Sequence, residues 1–239
     1  MRKKMSIIKK IKNKLFSPNS EEYISELKEK GVKIGKGTII WDPSSTVIDE
    51  SRPWLLTIGE YVKITAGVVI LCHDYSLSVM RRVYGEWIGE GQETVIGDNC
   101  FIGMNSTILM GTHIGNNVIV GAGSVVRGTV PDNVVVAGNP AKIICTLEEH
   151  YQNRKRKTAQ EAIDCAQAYY RFYHKAPKPS DLSGFKFLFI PRDKKIVEEY
   201  GLNFYCNGDE PSEVEEAFYN CEPLWENYEL FLRDAGITE

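Results

Sequence analysis

The chain has 239 residues, of which 43% are hydrophobic and 26% charged, a composition typical of a soluble protein of one or two domains. It lacks a run of about 18 apolar residues that would span a membrane, and its basic start, MRKKMSIIKKIKNKLF, lacks the apolar core of a secretory signal. The six cysteines, none in a CxxC pair, are therefore expected to be reduced thiols in a cytoplasmic protein.

The net charge of −3 conceals a basic beginning and an acidic end. The first 20 residues carry seven Lys or Arg and no acid, whereas residues 196–239 carry twelve acids and one Arg. Because no basic patch is interleaved with aromatic residues, we expect no nucleic-acid partner. The basic start is either a solvated helix or a peripheral contact with the anionic inner face of a membrane.

Residues 1–30 are predicted to form an N-terminal helical segment. Its second helix is expected to begin near Ser20, because Glu21 and Glu22 follow and acidic residues favour the first turn of a helix.

A six-residue period then dominates residues 95–126, and neither a helix nor a simple strand has that period. The repeated aliphatic residues are Ile96, Ile102, Ile108, Ile114, Val120 and Val126. The fourth position of each hexad is Asn or Gly, which tolerate positive φ, and the fifth is small. Each hexad therefore predicts a short strand and a corner. Three hexads would make one coil of a triangular prism, with coils stacked about 4.8 Å apart.

The same register occurs upstream at Ile34, Ile40, Ile58, Ile64 and Ile70, with Thr46 and Arg52 out of pattern. The spacing from Ile70 to Ile96 is not a multiple of six. Residues of about 74–93 are therefore predicted to form a loop that leaves the prism at a corner, and His73 lies at that corner.

The period ends after Cys145, and residues 146–239 are predicted to form an α-helical extension. A long helix is expected first, followed by helices at 193–200, 211–219 and 224–235, with the short buried run FKFLFIPRD between them. The first helix carries a stripe that is expected to be core: Ala159, Ala162, Ile163, Ala166, Tyr169, Tyr170 and Tyr173.

The hexads, the segment CHDYS before a loop, and the ending IVGAGSVVRGTVPDNVVVAGNPAKII resemble the hexapeptide-repeat acyltransferases. The galactoside and maltose O-acetyltransferases and the O-acetyltransferases of surface polysaccharides are the most similar in pattern. The resemblance covers residues 31–145 and implies a mainly β fold: a left-handed parallel β-helix, here with an N-terminal helix and a C-terminal α-helical appendage. It also implies a homotrimer and acetyl-CoA as the acetyl donor.

The resemblance implies an enzyme that acetylates a hydroxyl of a sugar or polysaccharide precursor. Such a transfer needs a base for the hydroxyl proton, and His73 matches the catalytic histidine of the family. An amino sugar, serine or an antibiotic hydroxyl is an alternative acceptor, and a non-catalytic scaffold is the alternative from another class.

Two rival mechanisms are disfavoured by the residues. Cys72 and His73 are adjacent, and adjacent residues of an extended chain point to opposite sides, so Cys72 is expected to be structural. A hydration enzyme would need three histidines on zinc, but only His73 and His113 lie in the prism, and their spacing of 40 is not a whole number of coils. No metal is therefore expected.

Acceptor contacts are expected from five residues. Asp49 matches the acidic residue that holds the sugar in the galactoside enzymes, although it could equally cap a turn. Asp74 would orient the histidine, bind the acceptor or form a turn. Trp54, Tyr84 and Trp87 would line the acceptor or pack the loop and the trimer seam.

The resemblance also implies contacts with CoA. The positions that match the family are Gly103, Met104, Gly121 and Ala122, where small residues permit close approach, although Met104 departs from the small residue usual there. Arg127 and Lys142 are expected either to pair with the CoA phosphates or to be solvated charges.

Overall fold

The computed structural model describes residues 18–201, 204–206 and 208–237, so the predicted helix and membrane contact before residue 18 lie outside it. The chain divides into two compact units, residues 1–150 and 151–239. Within the described residues, none of the helices combines the length and apolar character needed to cross a bilayer.

The first described element of the first unit is the helix Ser20–Lys30. Its N-cap is Asn19, one residue before the predicted start, and the Asn19 side chain accepts a hydrogen bond from the backbone N–H of Glu22. Gly31 ends the helix with φ 108°, in the left-handed region, and Leu27 is fully buried.

Short parallel strands then form the three sides of a triangular coil, which the chain visits in the order I, II, III. Sheet I contains Lys33–Ile34, Leu56–Ile58, Thr94–Ile96, His113–Ile114 and Thr129–Val130. Sheet II contains Ile39–Ile40, Lys63–Ile64, Phe101–Ile102, Ile119–Val120, Val134–Gly138 and Ala141–Thr146. Sheet III contains Val47–Ile48, Val69–Ile70, Thr107–Ile108 and Val125–Val126. The predicted left-handed parallel β-helix is confirmed.

The repeating aliphatic residues face inward and stack from coil to coil. Ile64, Ile102 and Val120 are fully buried and lie in register on neighbouring strands. Truncating one such isoleucine to alanine would cost about 2–5 kcal/mol, because the rigid stack cannot close the cavity. The corner prediction is also confirmed, since Asn99 and Asn117 have φ values of 52° and 57°.

Thr46 and Arg52, the two positions out of pattern, mark a shift of register between Ile40 and Ile58. The third side of the first coil uses Ile48 and not Thr46, because a turn around Asp42 lengthens the corner before it. The next side begins at Leu56–Ile58, after a second long corner. Ile48 lies eight residues after Ile40 and ten before Ile58, so the two irregular steps together restore the phase of six.

Two elements were not foreseen. The loop at about 74–93 contains a two-turn helix, Leu77–Tyr84, which we call the loop helix; Gly85 ends it with φ 72°. The prism ends in an antiparallel strand, Ala141–Thr146, which pairs with Val134–Gly138 and covers the last edge of sheet II.

The second unit, together with residues 147–150, is helical. Its helices are Leu147–Tyr173, Lys194–Glu199, Pro211–Tyr219 and Tyr228–Asp234, and its 3-10 turns are Pro179–Leu182 and Lys186–Leu188. Its core includes Ala162, Ala166, Phe189 and Phe231, each fully buried. The prediction that Tyr170 and Tyr173 belong to the core is wrong, because these side chains are 39% and 54% exposed.

Candidate active site

The site is built where sheet III turns into sheet I. The strands Val47–Ile48 and Val69–Ile70 are neighbours in register, so the residues that follow them are stacked on successive coils. Asp49 follows the first strand and Cys72 and His73 follow the second. We call this turn, residues 49–55 and 71–73, the histidine corner.

Asp49 and His73 meet side by side at this corner. A carboxylate oxygen of Asp49, Oδ2, is in hydrogen-bond contact with Nδ1 of His73. The same carboxylate accepts hydrogen bonds from the Ser51 hydroxyl at 2.6 Å and from the Cys72 backbone N–H at 2.9 Å. A neutral ring that donates from Nδ1 presents its other nitrogen, Nε2, as an acceptor.

The Asp49 carboxylate is held in its charged form. Burial raises its pKa, but hydrogen bonds from Ser51, from His73 and from the Cys72 backbone outweigh that effect and lower the pKa to about 2. Asp49 is only 6% exposed. At neutral pH the ring of His73 therefore rests against a fixed negative charge.

A pocket of about 440 Å³ lies in front of His73. One wall is Ser51 and Arg52 of the histidine corner, and the other comes from the loop, including Asp74, Arg81 and Trp87. The structure thus brings Asp74 and Trp87, two of the candidate acceptor residues, together with His73. Trp54 and Tyr84 do not line this pocket and are 69% and 71% exposed.

Glu90 and Arg52 tie the loop to the histidine corner. A guanidinium nitrogen of Arg52 donates to the Glu90 carbonyl at 2.5 Å and lies 3.4 Å from its carboxylate. The other carboxylate oxygen of Glu90 accepts the backbone N–H of Asp74 at 2.8 Å, directly beside His73. Sequence reasoning missed Ser51 and Glu90, because both lie in irregular segments where no repeat or motif marks them.

The buried position of Asp49 does not suit a direct contact with the acceptor. Its carboxylate lies behind the imidazole and is occupied by protein donors, including the Ser51 backbone N–H at 2.9 Å. That hydrogen bond, from the backbone N–H two residues further on, closes a turn with the Asp49 side chain. Asp74 also forms a turn, since its carboxylate accepts both the backbone N–H and the hydroxyl of Ser76 at 2.8 Å.

Cys72 is fully buried at the histidine corner. Burial raises the pKa of its thiol, and the sulfur donates to the Leu55 carbonyl at 3.5 Å. A thiol with a raised pKa is a poor nucleophile at neutral pH, which favours the structural interpretation of Cys72.

The candidate CoA residues lie elsewhere on the prism. Gly103, Met104, Gly121 and Ala122 occupy the turn from sheet II to sheet III, which we call the glycine corner (residues 103–106 and 121–124). A β-carbon on Gly103 would lie 2.6 Å from the backbone nitrogen of Ala122, so the stacking of coils by itself requires glycine there.

The other two candidates are separated from the glycine corner. Arg127 follows the sheet III strand Val125–Val126, on the same prism edge as His73 and two coils further along. Lys142 lies in the last strand of sheet II, Ala141–Thr146. Within one chain, the histidine corner and the glycine corner are different edges of the prism.

Comparisons with known proteins place the prism among hexapeptide-repeat sequences. A family model described as "Hexapeptide repeat of succinyl-transferase" matches residues 93–127. The chain is 42% identical over 143 residues to "Protein CapG" of Staphylococcus aureus, covering 60% of this chain and 81% of that protein.

Two further relatives carry more informative names. "Putative acetyltransferase YvoF" of Bacillus subtilis (strain 168) is 36% identical over 129 residues, which cover 54% of this chain and 68% of that protein. "Putative lipopolysaccharide biosynthesis O-acetyl transferase WbbJ" of Escherichia coli (strain K12) is 58% identical over 55 residues, covering 23% of this chain and 28% of that protein.

Proposed function

The chain belongs to the hexapeptide-repeat acetyltransferase family, and we propose that it moves the acetyl group of acetyl-CoA to a hydroxyl of a sugar or polysaccharide precursor. The observation that carries the proposal is the Asp49–His73 pair, in which Asp49 contacts Nδ1 of His73 and His73 lines a pocket. The name of one relative, which describes O-acetyl transfer in lipopolysaccharide biosynthesis, supports a hydroxyl acceptor.

In the proposed reaction His73 is the general base and Asp49 is a positioning residue. The hydroxyl oxygen attacks the thioester carbonyl while Nε2 of His73 takes the hydroxyl proton. The tetrahedral intermediate then collapses, the carbon–sulfur bond breaks, and the imidazolium returns the proton to the departing thiolate. The charged Asp49 carboxylate stabilises the imidazolium that forms between these two steps.

We propose that two chains of a homotrimer complete the site. The histidine corner and the glycine corner lie at opposite ends of sheet III, so one chain does not bring its own candidate base and CoA residues together. A neighbouring copy that presents its glycine corner to this chain's histidine corner would do so. Acetyl-CoA would then lie in the groove between the two prisms.

The outward faces of the sheets support such an assembly. Sheet I presents mostly polar outward residues, among them Lys33, His113 and Thr129. Sheet II presents Phe101, 38% exposed, beside Trp41, 44% exposed. Sheet III presents Val47, 54% exposed. Apolar outward faces on two sides are what association with further copies would bury.

The decisive experiment measures thiol release from acetyl-CoA with a panel of neutral, acidic and amino sugars. We expect release with a hydroxyl acceptor, and a loss of about 10²- to 10⁴-fold in kcat for His73→Ala. His113→Ala is the matched control and should keep full activity, because His113 is an exposed residue of sheet I.

Each result of this assay has a defined meaning. Acetylation of amino groups alone would replace the proposal with an N-acetyltransferase. Failure to bind acetyl-CoA in calorimetry and to release thiol with any acceptor would favour a scaffold. Full activity of His73→Ala would remove the proposed base.

A further inference from the structure

The charged side chains that line the pocket are mutually satisfied, with one exception. Arg52 is paired with Glu90, Glu90 also holds the Asp74 backbone, and the Asp74 carboxylate is occupied by Ser76. The exception is Arg81. Among the residues that the structure describes, Arg81 has neither a carboxylate within ion-pair distance nor a hydrogen-bond partner for its guanidinium.

Arg81 is nevertheless held in a defined place. It belongs to the loop helix, and its guanidinium lies over the indole of Trp87, 4.5 Å from the ring centroid. Both side chains line the pocket that His73 borders. Stacking on an aromatic ring restrains the guanidinium while leaving the donors at its edge available.

We propose that Arg81 recognises a negative charge on the acceptor, so that the substrate is a sugar bearing a carboxylate or phosphate group. The inference rests on the proposed function and narrows it to an acidic sugar. A planar guanidinium matches either oxyanion with two parallel hydrogen bonds, and such charge-assisted pairs are about twice as strong as neutral ones. The pocket volume of about 440 Å³ suits a monosaccharide unit with one such substituent.

In this proposal two groups of pocket residues have separate tasks. His73 and its Asp49 partner act on the reacting hydroxyl, and Arg81 with Trp87 fixes the charged end of the sugar. Because Arg81 does not touch the reacting atoms in this arrangement, it is a specificity-determining residue whose loss should raise KM for acidic sugars more than it lowers kcat.

The test compares acceptors built on one glucose ring, with and without an anionic substituent. Methyl glucuronide and glucose 1-phosphate are the acidic probes, and methyl glucoside is the neutral one. We expect the wild-type protein to acetylate at least one acidic probe with a kcat/KM about 10-fold or more above that for the neutral sugar. The acidic probe with the higher kcat/KM shows whether the pocket recognises a carboxylate or a phosphate.

Arg81→Gln should lower kcat/KM for the preferred acidic probe by about 10- to 100-fold and leave the neutral sugar within about threefold. Arg81→Lys should recover part of the loss, because it restores the charge without the planar fork. Arg82→Gln is the matched control: Arg82 is the next residue on the same helix, is exposed, and does not line the pocket.

Circular dichroism and gel filtration of each variant would show that the fold and assembly are intact. Equal use of neutral and acidic sugars, or an acidic preference that survives Arg81→Gln, would overturn the inference and leave the proposed acetyl transfer standing. An equal loss on all acceptors would also overturn it, since that result is expected if Arg81 pairs with an acid of a neighbouring copy. Failure of every hydroxyl acceptor would instead refute the proposed function itself.

Discussion

Asp49 and His73 are 24 positions apart in the chain and meet because each follows a sheet III strand on successive coils. The aspartate is buried and charged, and the histidine is partly open to the pocket. Asp49 therefore fixes the orientation of the His73 ring and places a negative charge beside it. Two predictions concern this pair.

The first prediction concerns catalysis. Asp49→Asn should lower kcat by about 10²-fold or more, because an amide neither fixes the same ring tautomer nor stabilises the imidazolium. KM for acetyl-CoA should stay within about twofold, since Asp49 is buried behind the ring. Steady-state kinetics would check both values.

Asp74→Asn is the matched comparison for that prediction. Asp74 lines the pocket, and its carboxylate accepts hydrogen bonds from Ser76 and not from the Nδ1 of His73. The Asp74→Asn substitution should therefore affect KM for the acceptor more than kcat. Equal kinetic effects of the two substitutions would show that Asp49 has no special role in positioning His73.

The second prediction concerns the dependence of stability on pH. The pKa of Asp49 falls from an ordinary value of 3.8 to about 2, so as the pH drops the unfolded state takes up its proton first. The carboxylate therefore stabilises the fold above about pH 4, and that contribution of about 2 kcal/mol is lost as the pH falls towards 2.

Urea unfolding of wild type and Asp49→Asn at one protein concentration, at pH 5 and pH 2, would measure this effect. Wild type should lose about 2 kcal/mol more than the variant over that range. The same pH dependence in both proteins would contradict a depressed pKa at Asp49.

At the scale of the element, the corners carry a ladder of asparagines. The Asn99 amide donates to the side-chain oxygen of Asn117 at 2.8 Å, and the Asn117 amide donates to that of Asn133 at 3.0 Å. All three have positive φ. Asparagine thus satisfies two demands at once, because it tolerates the left-handed conformation and links one coil to the next.

Substitutions of Asn117 would separate the two demands. Asn117→Gly keeps the permitted backbone and loses the side-chain bonds, for an expected cost of about 1–2 kcal/mol. Asn117→Ala adds the strain of a β-carbon at positive φ and should cost about 1 kcal/mol more. Chemical denaturation would measure the difference, and alanine as stable as glycine would argue against backbone strain at this corner.

At the scale of the molecule, the proposed trimer depends on the apolar outward faces of sheets II and III. Phe101→Glu should convert a particle of three times the 27.0 kDa chain mass into single chains and lower activity about 100-fold or more, because the two corners of the site would separate. Light scattering coupled to gel filtration would report the mass.

Thr129→Glu tests the polar outward face of sheet I in the same way and should leave the trimer and its activity unchanged. An active single chain, from either wild type or Phe101→Glu, would refute a site shared between copies.

The fold was predictable because its signal is local and repeated. Each hexad carries its own inward aliphatic residue and its own corner residue, so the period of six is readable without knowledge of distant contacts. The register within Ile40–Ile58 was not predictable in the same way, because two unequal corners compensate and the turn around Asp42 has no counterpart elsewhere in the prism.

By itself the sequence determined the coil, the inward positions, the corner residues and His73 as the residue at the broken corner, since all of these follow from a repeated local pattern. Only the tertiary structure decided that Asp49 lies behind the imidazole and that Glu90 ties the loop down through Arg52. It also decided that Arg81, stacked on Trp87, lines the pocket with no carboxylate partner among the described residues. These arrangements join irregular segments that are distant along the chain. Stacking of the coils, which no local pattern records, is what brings those segments together.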